Sequence, residues 1–315
     1  EDNMSAKGLG SRAIIGYIMD ALDQPQNTWV DAVSNLFTSD QESETYRWLG
    51  TSPIMREWIG GRQAKGFREH GFTIKNKTFE ATLEVMVDEI RRDKTGQVMA
   101  RIRQMAERAQ DHDAKLLSAL IVAGEASVCY DGQYFFDTDH VEGDSGIQSN
   151  DLTYKANKKN EPTPAEMEGA ILQATEAMFG FKDDQGEPIN GSAREFLVMA
   201  PVNMLRATCG ALGTSVVLEG GQARNNLIQA VGSLGGFVYR MAINPRLTNN
   251  DRFYLYRTDG AVKPFIRQLE EDITISALAE GSEEEFRNNR HLYGIKRIGN
   301  VGYGLWSGAV LTTFN

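Results

Sequence analysis

The chain has 315 residues, 41% hydrophobic and 24% charged, with a formal net charge of −10. That length supports one large domain or two medium ones, and the acidity argues against a protein that grips nucleic acid, because such affinity comes largely from neutralising phosphates. No run of about 18 apolar residues marks a membrane-spanning helix, and the opening EDNMSAKGLGSR has neither a basic start nor an apolar core, so no secretion signal is expected there.

Residues 11–24 predict a helix capped by Ser11, with Ile14, Ile15, Ile18, Met19 and Leu22 as its stripe. Pro25 separates it from a second predicted helix, 27–37, with Trp29, Val33, Leu36 and Phe37 on one side. Both are too short to be stable alone and need something to lie against. The polar stretch 38–45 reads as a connector. Residues 45–87 predict a long β-hairpin, with strands near 57–67 and 72–86 and turn signals at Gly60-Gly61 and His70-Gly71. Rich in Lys and Arg, it would be marginal by itself and should rest on another chain.

Residues 95–126 predict the strongest helix, with Val98, Ile102, Met105, Ala109, His112, Leu116 and Leu120 at three- and four-residue steps and Gly124 as its stop. At about 1.5 Å per residue it would span roughly 40 Å, which suggests an elongated molecule. After CYDGQYFFDTDH (129–140), the polar segment 142–164 reads as loop. Residues 163–181 predict a helix with Thr163 and Glu166 in capping-box spacing. A buried strand (194–201) and a short helix (202–213) follow, and the Gly-punctuated 214–236 resists assignment. Strands over 237–247 and 251–258, joined by a tight Asn/Pro loop, complete an α/β layer over 160–260. Residues 261–315 return to strand alternation, clearest in RHLYGIKRI and YGLWSGAVLTT.

The stretch 129–140 gathers Cys129, Asp137, Asp139 and His140 and raises the question of a metal or catalytic site. Asp137, Asp139 and His140 could offer two oxygens and a nitrogen, but a catalytic metal needs rigid ligands, outer support and usually a further ligand from a distant segment. The bland reading is a turn at Tyr130–Gly132 followed by an aromatic strand end at Phe135-Phe136, with Asp137 and Asp139 accepting from loop amides. Cys129 and Cys209 are the only cysteines, too few for a disulfide framework or a paired-cysteine zinc set, and two reduced thiols are expected. Serine-nucleophile and phosphate-loop motifs are missing. No cofactor is expected. The acidic runs at 270–272 and 283–285 read as solvated faces. Trp48 and Trp58 lie outside the predicted cores, and tryptophan there is typical of an interface anchor.

TYRWLG (45–50), PIMREWIGGR (53–62), GFTIKNKTFEATL (71–83), CYDGQYFFDTDH (129–140), AVKPFIRQ (261–268) and GYGLW (302–306) resemble, in that order, motifs of the major head subunit of Mu-like phages. The segment 150–260 is similar to the family in outline only, and residues 1–44 match weakly. The resemblance implies an α+β protein of the Hong Kong 97 phage capsid fold. Its parts would be an N-terminal arm (1–44), an extended hairpin loop (45–86), a peripheral domain (87–159) crossed by a spine helix (95–123), an axial domain (160–260) and returning peripheral strands (261–315). On this reading the 129–140 stretch is architecture.

The implied function is a capsid subunit that self-assembles as hexamers and pentamers of an icosahedral virion head, built in the bacterial host cytoplasm. It would enclose double-stranded DNA without sequence-specific binding, work with a portal and, where present, cement or decoration proteins, and touch no membrane. Expected inter-subunit contacts are Trp29, Trp48, Trp58 and Phe67. Arg56, Arg62, Lys65 and Arg68 are expected to pair with Glu270, Glu271, Glu283 and Glu284 of a neighbour. Each exposed pair is worth only about 0–1 kcal/mol, so registry is their expected contribution. The alternatives are a metal-dependent hydrolase using Asp137, Asp139 and His140, and a cellular compartment shell of the same fold.

Overall fold

The computed structural model describes residues 11–22, 28–47, 49, 71–92 and 96–315. The predicted strand 57–67 and the candidate contacts Trp48, Arg56, Trp58, Arg62, Lys65, Phe67 and Arg68 lie outside them. In chain order the elements begin with α1 (Ser11–Leu22), α2 (Thr28–Val33), β1 (Ser34–Thr38), β2 (Ser43–Tyr46), β3 (Phe72–Lys75) and β4 (Lys77–Met86). There follow α3 (Val87–Arg92), α4 (Gln97–Gln110), α5 (His112–Val122), β5 (Asp151–Tyr154), α6 (Pro164–Gly180), β6 (Glu195–Ala200) and α7 (Leu205–Gly213). Next come β7 (Val216–Glu219), β8 (Gln222–Asn225), α8 (Leu227–Gly235), β9 (Val238–Ile243) and β10 (Arg252–Arg257). The last are β11 (Phe265–Leu278), α9 (Glu283–Asn288), β12 (Arg290–Tyr303) and β13 (Ala309–Phe314).

Two sheets organise these elements. The first has the order β1-β11-β12-β4, the second β5-β13-β10-β6-β9. On the first sheet, α1 and α4 bury Ile14, Ile18, Val98, Ile102 and Ala106 against Val85, Tyr293 and Ile295. Around the second sheet, α2, α5, α6 and α7 close a larger core that includes Phe135, Phe196, Tyr254, Tyr256 and Trp306.

The predicted spine is two helices. Asp111 (φ −75°, ψ 0°) ends α4, and His112 opens α5. The division has a packing reason: Val98, Ile102 and Ala106 belong to the first core, whereas Ala114, Leu117 and Ile121 belong to the second. A local bend lets each half face its own core.

The predicted helix 27–37 stops at Val33. Ser34 Oγ donates back to the Val30 carbonyl (2.5 Å), and from Ser34 onward the chain pairs in parallel with β11, Ser34 opposite Phe265. Six helical residues have little stability of their own, and an open strand edge offers hydrogen bonds that outcompete another turn. Leu36 consequently faces outward, and Phe37 packs against Tyr46 at 5.5 Å between ring centroids.

The predicted connector 38–45 supplies most of β2, which pairs with β3, while β4 pairs with β12. The run 72–86 therefore divides at buried Asn76, whose backbone N–H donates to the Glu42 carbonyl (2.8 Å) and whose side chain donates to the Gln41 carbonyl (2.8 Å). The polar 142–164 stretch contains β5, which pairs with β13. Strands β9 and β10 are not neighbours, because β6 lies between them. The predicted single strand YGLWSGAVLTT is broken by a short 3-10 turn at Trp306–Gly308, so β12 ends in the first sheet and β13 runs in the second. Helix α6 carries its capping box as predicted: Thr163 accepts from the Glu166 N–H, and Glu166 accepts from the Thr163 N–H at 2.7 Å.

Candidate functional site: a loop, a charged cleft and the assembly surface

The loop 129–140 follows the end of α5. It opens with a turn in which Gly132 N–H donates to the Cys129 carbonyl at φ +93° for Gly132, a conformation that only glycine adopts readily. Phe135 and Phe136 are buried, and Phe135 stacks on Tyr303 at 4.6 Å. Asp137 accepts from the Tyr134 N–H (3.1 Å) and the Thr138 N–H (2.7 Å), as the turn reading expects. Asp139 is exposed, and its carboxyl is raised by partial desolvation and by neighbouring Asp137.

His140 is wholly buried and does not join these two aspartates. Its Nδ1 lies 2.6 Å from Asp131 Oδ2, its Nε2 lies 3.1 Å from Asn150 Oδ1, and its ring stacks on Trp306 at 4.0 Å. The trio Asp137, Asp139 and His140 is therefore not assembled, and the hydrolase reading loses its geometry. Cys129 is no nucleophile either, since burial and the Asp131 carboxylate push its thiol far up. Burial also works to raise Asp131, but hydrogen bonds from His140 and Cys129 outweigh it and hold the carboxyl below its usual range.

The predicted acidic contacts have partners within the chain. Glu271 pairs with Lys296 (2.7 Å), Glu283 with Arg287 (2.7 Å) and Glu284 with Arg290 (2.8 Å). Glu270 is exposed and holds no ion pair among the described residues. Trp29 is half-buried against the larger core and lines a cleft of about 240 Å³ with Arg240, Met241 and Arg246.

A larger cleft of about 520 Å³ lies between the spine and the first sheet. Its floor includes Phe79, Leu83, Met105, Ile273 and Ile295, and its rim carries Arg101, Arg108 and Lys115. These three cations recur every seventh residue along α4 and α5, so they fall on one side of the spine, and none has a carboxylate partner among the described residues. His112 also lines the cleft, and burial with nearby Arg297 and Lys115 pushes its ring down. The sequence reading missed this row, although the seven-residue spacing is visible in it.

Residues 17–165 and 240–313 match the family described as the Mu-like prophage major head subunit gpT. The chain belongs to that family. It is 36% identical over 111 residues to the Mu-like prophage FluMu major head subunit of Haemophilus influenzae, covering 35% of this chain and 36% of that one. It is 35% identical over 108 residues to the major capsid protein of Escherichia phage Mu, covering 34% and 35%. These alignments span about a third of the length of each curated relative.

Among solved structures, the procapsid of bacteriophage JBD30 matches with a TM-score of 0.56 at 24% identity, covering 96% of this chain and 73% of that one. The mature capsid of bacteriophage PhiM1 matches with a TM-score of 0.56 at 11% identity, covering 92% and 88%. The virus-like particle from Pyrococcus furiosus matches with a TM-score of 0.53 at 8% identity, covering 96% and 98%. These likenesses show the fold, which is that of Hong Kong 97-like capsid proteins. The family match skips 166–239, within the segment where no sequence motif aligned.

A head subunit is structural, so its functional site is its surface. Four apolar side chains stand out: Phe286 (92% exposed) on α9, Leu234 (90%) on α8, Ile147 (77%) and Leu218 (69%) on β7. None was singled out from sequence, because Phe286 follows an acidic run and Leu234 sits among glycines. Among the described residues no helix is long and apolar enough to cross a membrane.

Proposed function

We propose that this head subunit tiles an icosahedral shell as hexamers and pentamers around packaged double-stranded DNA. Assembly takes place in the host cytoplasm, with a portal and, where present, cement proteins. The observation that carries this reading is the pairing of β2 with β3, in which Tyr46 lies opposite Phe72. Tyr46 and Phe72 are cross-strand partners, so the two ends of the intervening segment meet at one place. Leu49, Tyr46, Ile74 and Ile266 form a buried cluster beside that meeting point.

The added segment contributes Trp48, Arg56, Trp58, Arg62, Lys65, Phe67 and Arg68 for contact with neighbouring copies. Many modest contacts then sum over a shell, because each link raises the effective concentration for the next. Glu271, Glu283 and Glu284 would have to exchange their internal partners to accept a neighbour's cations, which leaves Glu270 as the acidic contact that costs least. The cationic row Arg101, Arg108 and Lys115 adds a place for an acidic segment of another copy. A net charge of −10 favours DNA that packs without adhering. Membership of the head-subunit family supports a phage head over a cellular compartment shell.

The test replaces residues 51–70 with a short Gly/Ser turn. The paired ends at Tyr46 and Phe72 allow that closure, whereas removing β3 or β4 residues would break the sheets. Negative-stain electron microscopy is expected to show shells for the parent chain and none for the variant, with an unchanged thermal melt of the unassembled subunit. Normal shells from the variant would remove the segment from the assembly mechanism.

A further inference from the structure

We propose that Cys129, Asp131 and His140 form a transition-metal site, suited to zinc, that pins the loop after the spine onto itself. The inference stands on local chemistry and does not depend on the shell reading.

One donor atom from each residue lies within 4.8 Å of the other two. His140 and Asp131 have side chains 0% and 2% exposed, and Cys129 is 4% exposed. Cys129 Sγ lies 3.0 Å from Asp131 Oδ1, and His140 Nδ1 lies 2.6 Å from Asp131 Oδ2. A thiol, an imidazole and a carboxylate are the donor types zinc takes.

Asn150 sets which ring nitrogen of His140 faces Asp131. The Asn150 Nδ2 donates to the carbonyls of Phe135 (2.8 Å) and Ala309 (3.2 Å), and its Oδ1 accepts the Asp137 N–H (2.9 Å). Those backbone partners fix the amide orientation. The atom facing His140 Nε2 at 3.1 Å is therefore an acceptor, and Nε2 carries the ring proton. In the neutral ring this leaves a lone pair on Nδ1, pointed at a carboxylate oxygen 2.6 Å away. At that distance a proton bridges the pair, and a metal ion held by Asp131 would displace it.

A metal ion can take that proton's place, and the third donor favours one. A shared proton needs only His140 and Asp131, yet Cys129 is held against the other oxygen of the same carboxylate. Around a divalent ion, a thiolate, a carboxylate and a neutral imidazole sum to zero charge, which is what a buried site requires. The support fits as well. A metal-bound histidine ordinarily donates its far nitrogen to a fixed oxygen, here Asn150, and its carboxylate neighbour is itself hydrogen-bonded, here by the Gln133 N–H (3.1 Å). Donors on zinc lie about 3.3–3.8 Å apart, given bonds of about 2.0–2.3 Å, so the trio has to open by roughly 1 Å or less. On binding, the thiol proton and the shared proton leave to solvent, and a fourth position is taken by water.

The test measures metal in the full-length chain purified without chelator and reconstituted with zinc, by plasma mass spectrometry. About one zinc per chain is expected, with a zinc-edge absorption spectrum showing one sulfur at about 2.3 Å. Cobalt in place of zinc should give a thiolate-to-metal band that persists in Cys209→Ser and is lost in Cys129→Ser, and Asp131→Asn should lower occupancy at least tenfold. If either variant at the trio fails to fold, the sulfur shell of the parent chain decides. Folded parent chain with less than about a tenth of a zinc per copy, a spectrum without sulfur, or a cobalt band that survives Cys129→Ser would overturn the site. The first of these would assign the bridging cation as a proton.

Discussion

Buried polar residues knit this fold together one at a time. Gln268 is 1% exposed and uses both ends of its amide: Nε2 donates to the Ile74 carbonyl (3.2 Å) and Asn76 Oδ1 (2.9 Å), and Oε1 accepts from the Tyr46 hydroxyl (2.9 Å). Tyr46→Phe removes that donor and leaves a buried acceptor unpaired, a loss of about 1–3 kcal/mol. Urea titration should show a lower midpoint at constant slope. The same residue bears on alkaline stability, since burial pushes the Tyr46 hydroxyl up to about 12. The unfolded phenol ionises near pH 10, so the unfolded state sheds its proton first and stability falls as pH rises from about 10 to about 12. The Tyr46→Phe variant should lose less stability over that window than the parent, and an equal loss in both would remove Tyr46 as a source. None of this was legible in sequence. TYRWLG pointed to a family motif, but nothing near Tyr46 or Asn150 announces a hydrogen-bond partner more than a hundred residues away.

Elements were legible where periodicity and packing agree. Helix α6 was, because its capping box and its buried face are both local. The spine was half legible, since its stripe marks helix but cannot say that Ile102 and Leu117 face different cores. The second half is tied to the first sheet by Asp113 at the start of α5, which accepts from Arg297 on β12 (2.6 and 3.0 Å) and from Arg267 on β11 (3.3 Å). All three side chains are at most 15% exposed. Asp113→Ala strands the largely buried Arg297 and leaves Arg267 only the exposed Asp31, and should cost about 3 kcal/mol, since breaking such a pair from one side is worse than never having it. Hydrogen exchange should quicken in α5 and the neighbouring part of β12. Unchanged protection there would mean that apolar packing alone seats the spine. The 303–313 run was misread for a related reason: its alternation continues through YGLWSGAVLTT, yet the chain changes sheets within it, and alternation carries no record of the partner strand.

At the scale of the whole molecule, the prediction concerns surfaces that a lone subunit does not need. Phe286 is 92% exposed, so Phe286→Ser should change subunit stability by no more than about 0.5 kcal/mol. If α9 meets another copy, shell yield by sedimentation should nevertheless fall severalfold, and an unchanged yield would place α9 outside the contacts. Taken by itself, the sequence determined the mixed α+β class, most helices and strands, and the family, because those rest on spacing and motif order along the chain. Tertiary structure decided which strands pair, where the spine bends, that His140 meets Asp131 and Cys129 rather than Asp137 and Asp139, and that the acidic runs hold partners of their own. The physical reason is that spacing fixes which face a residue presents, whereas the group it meets there is set by how distant segments close a common core.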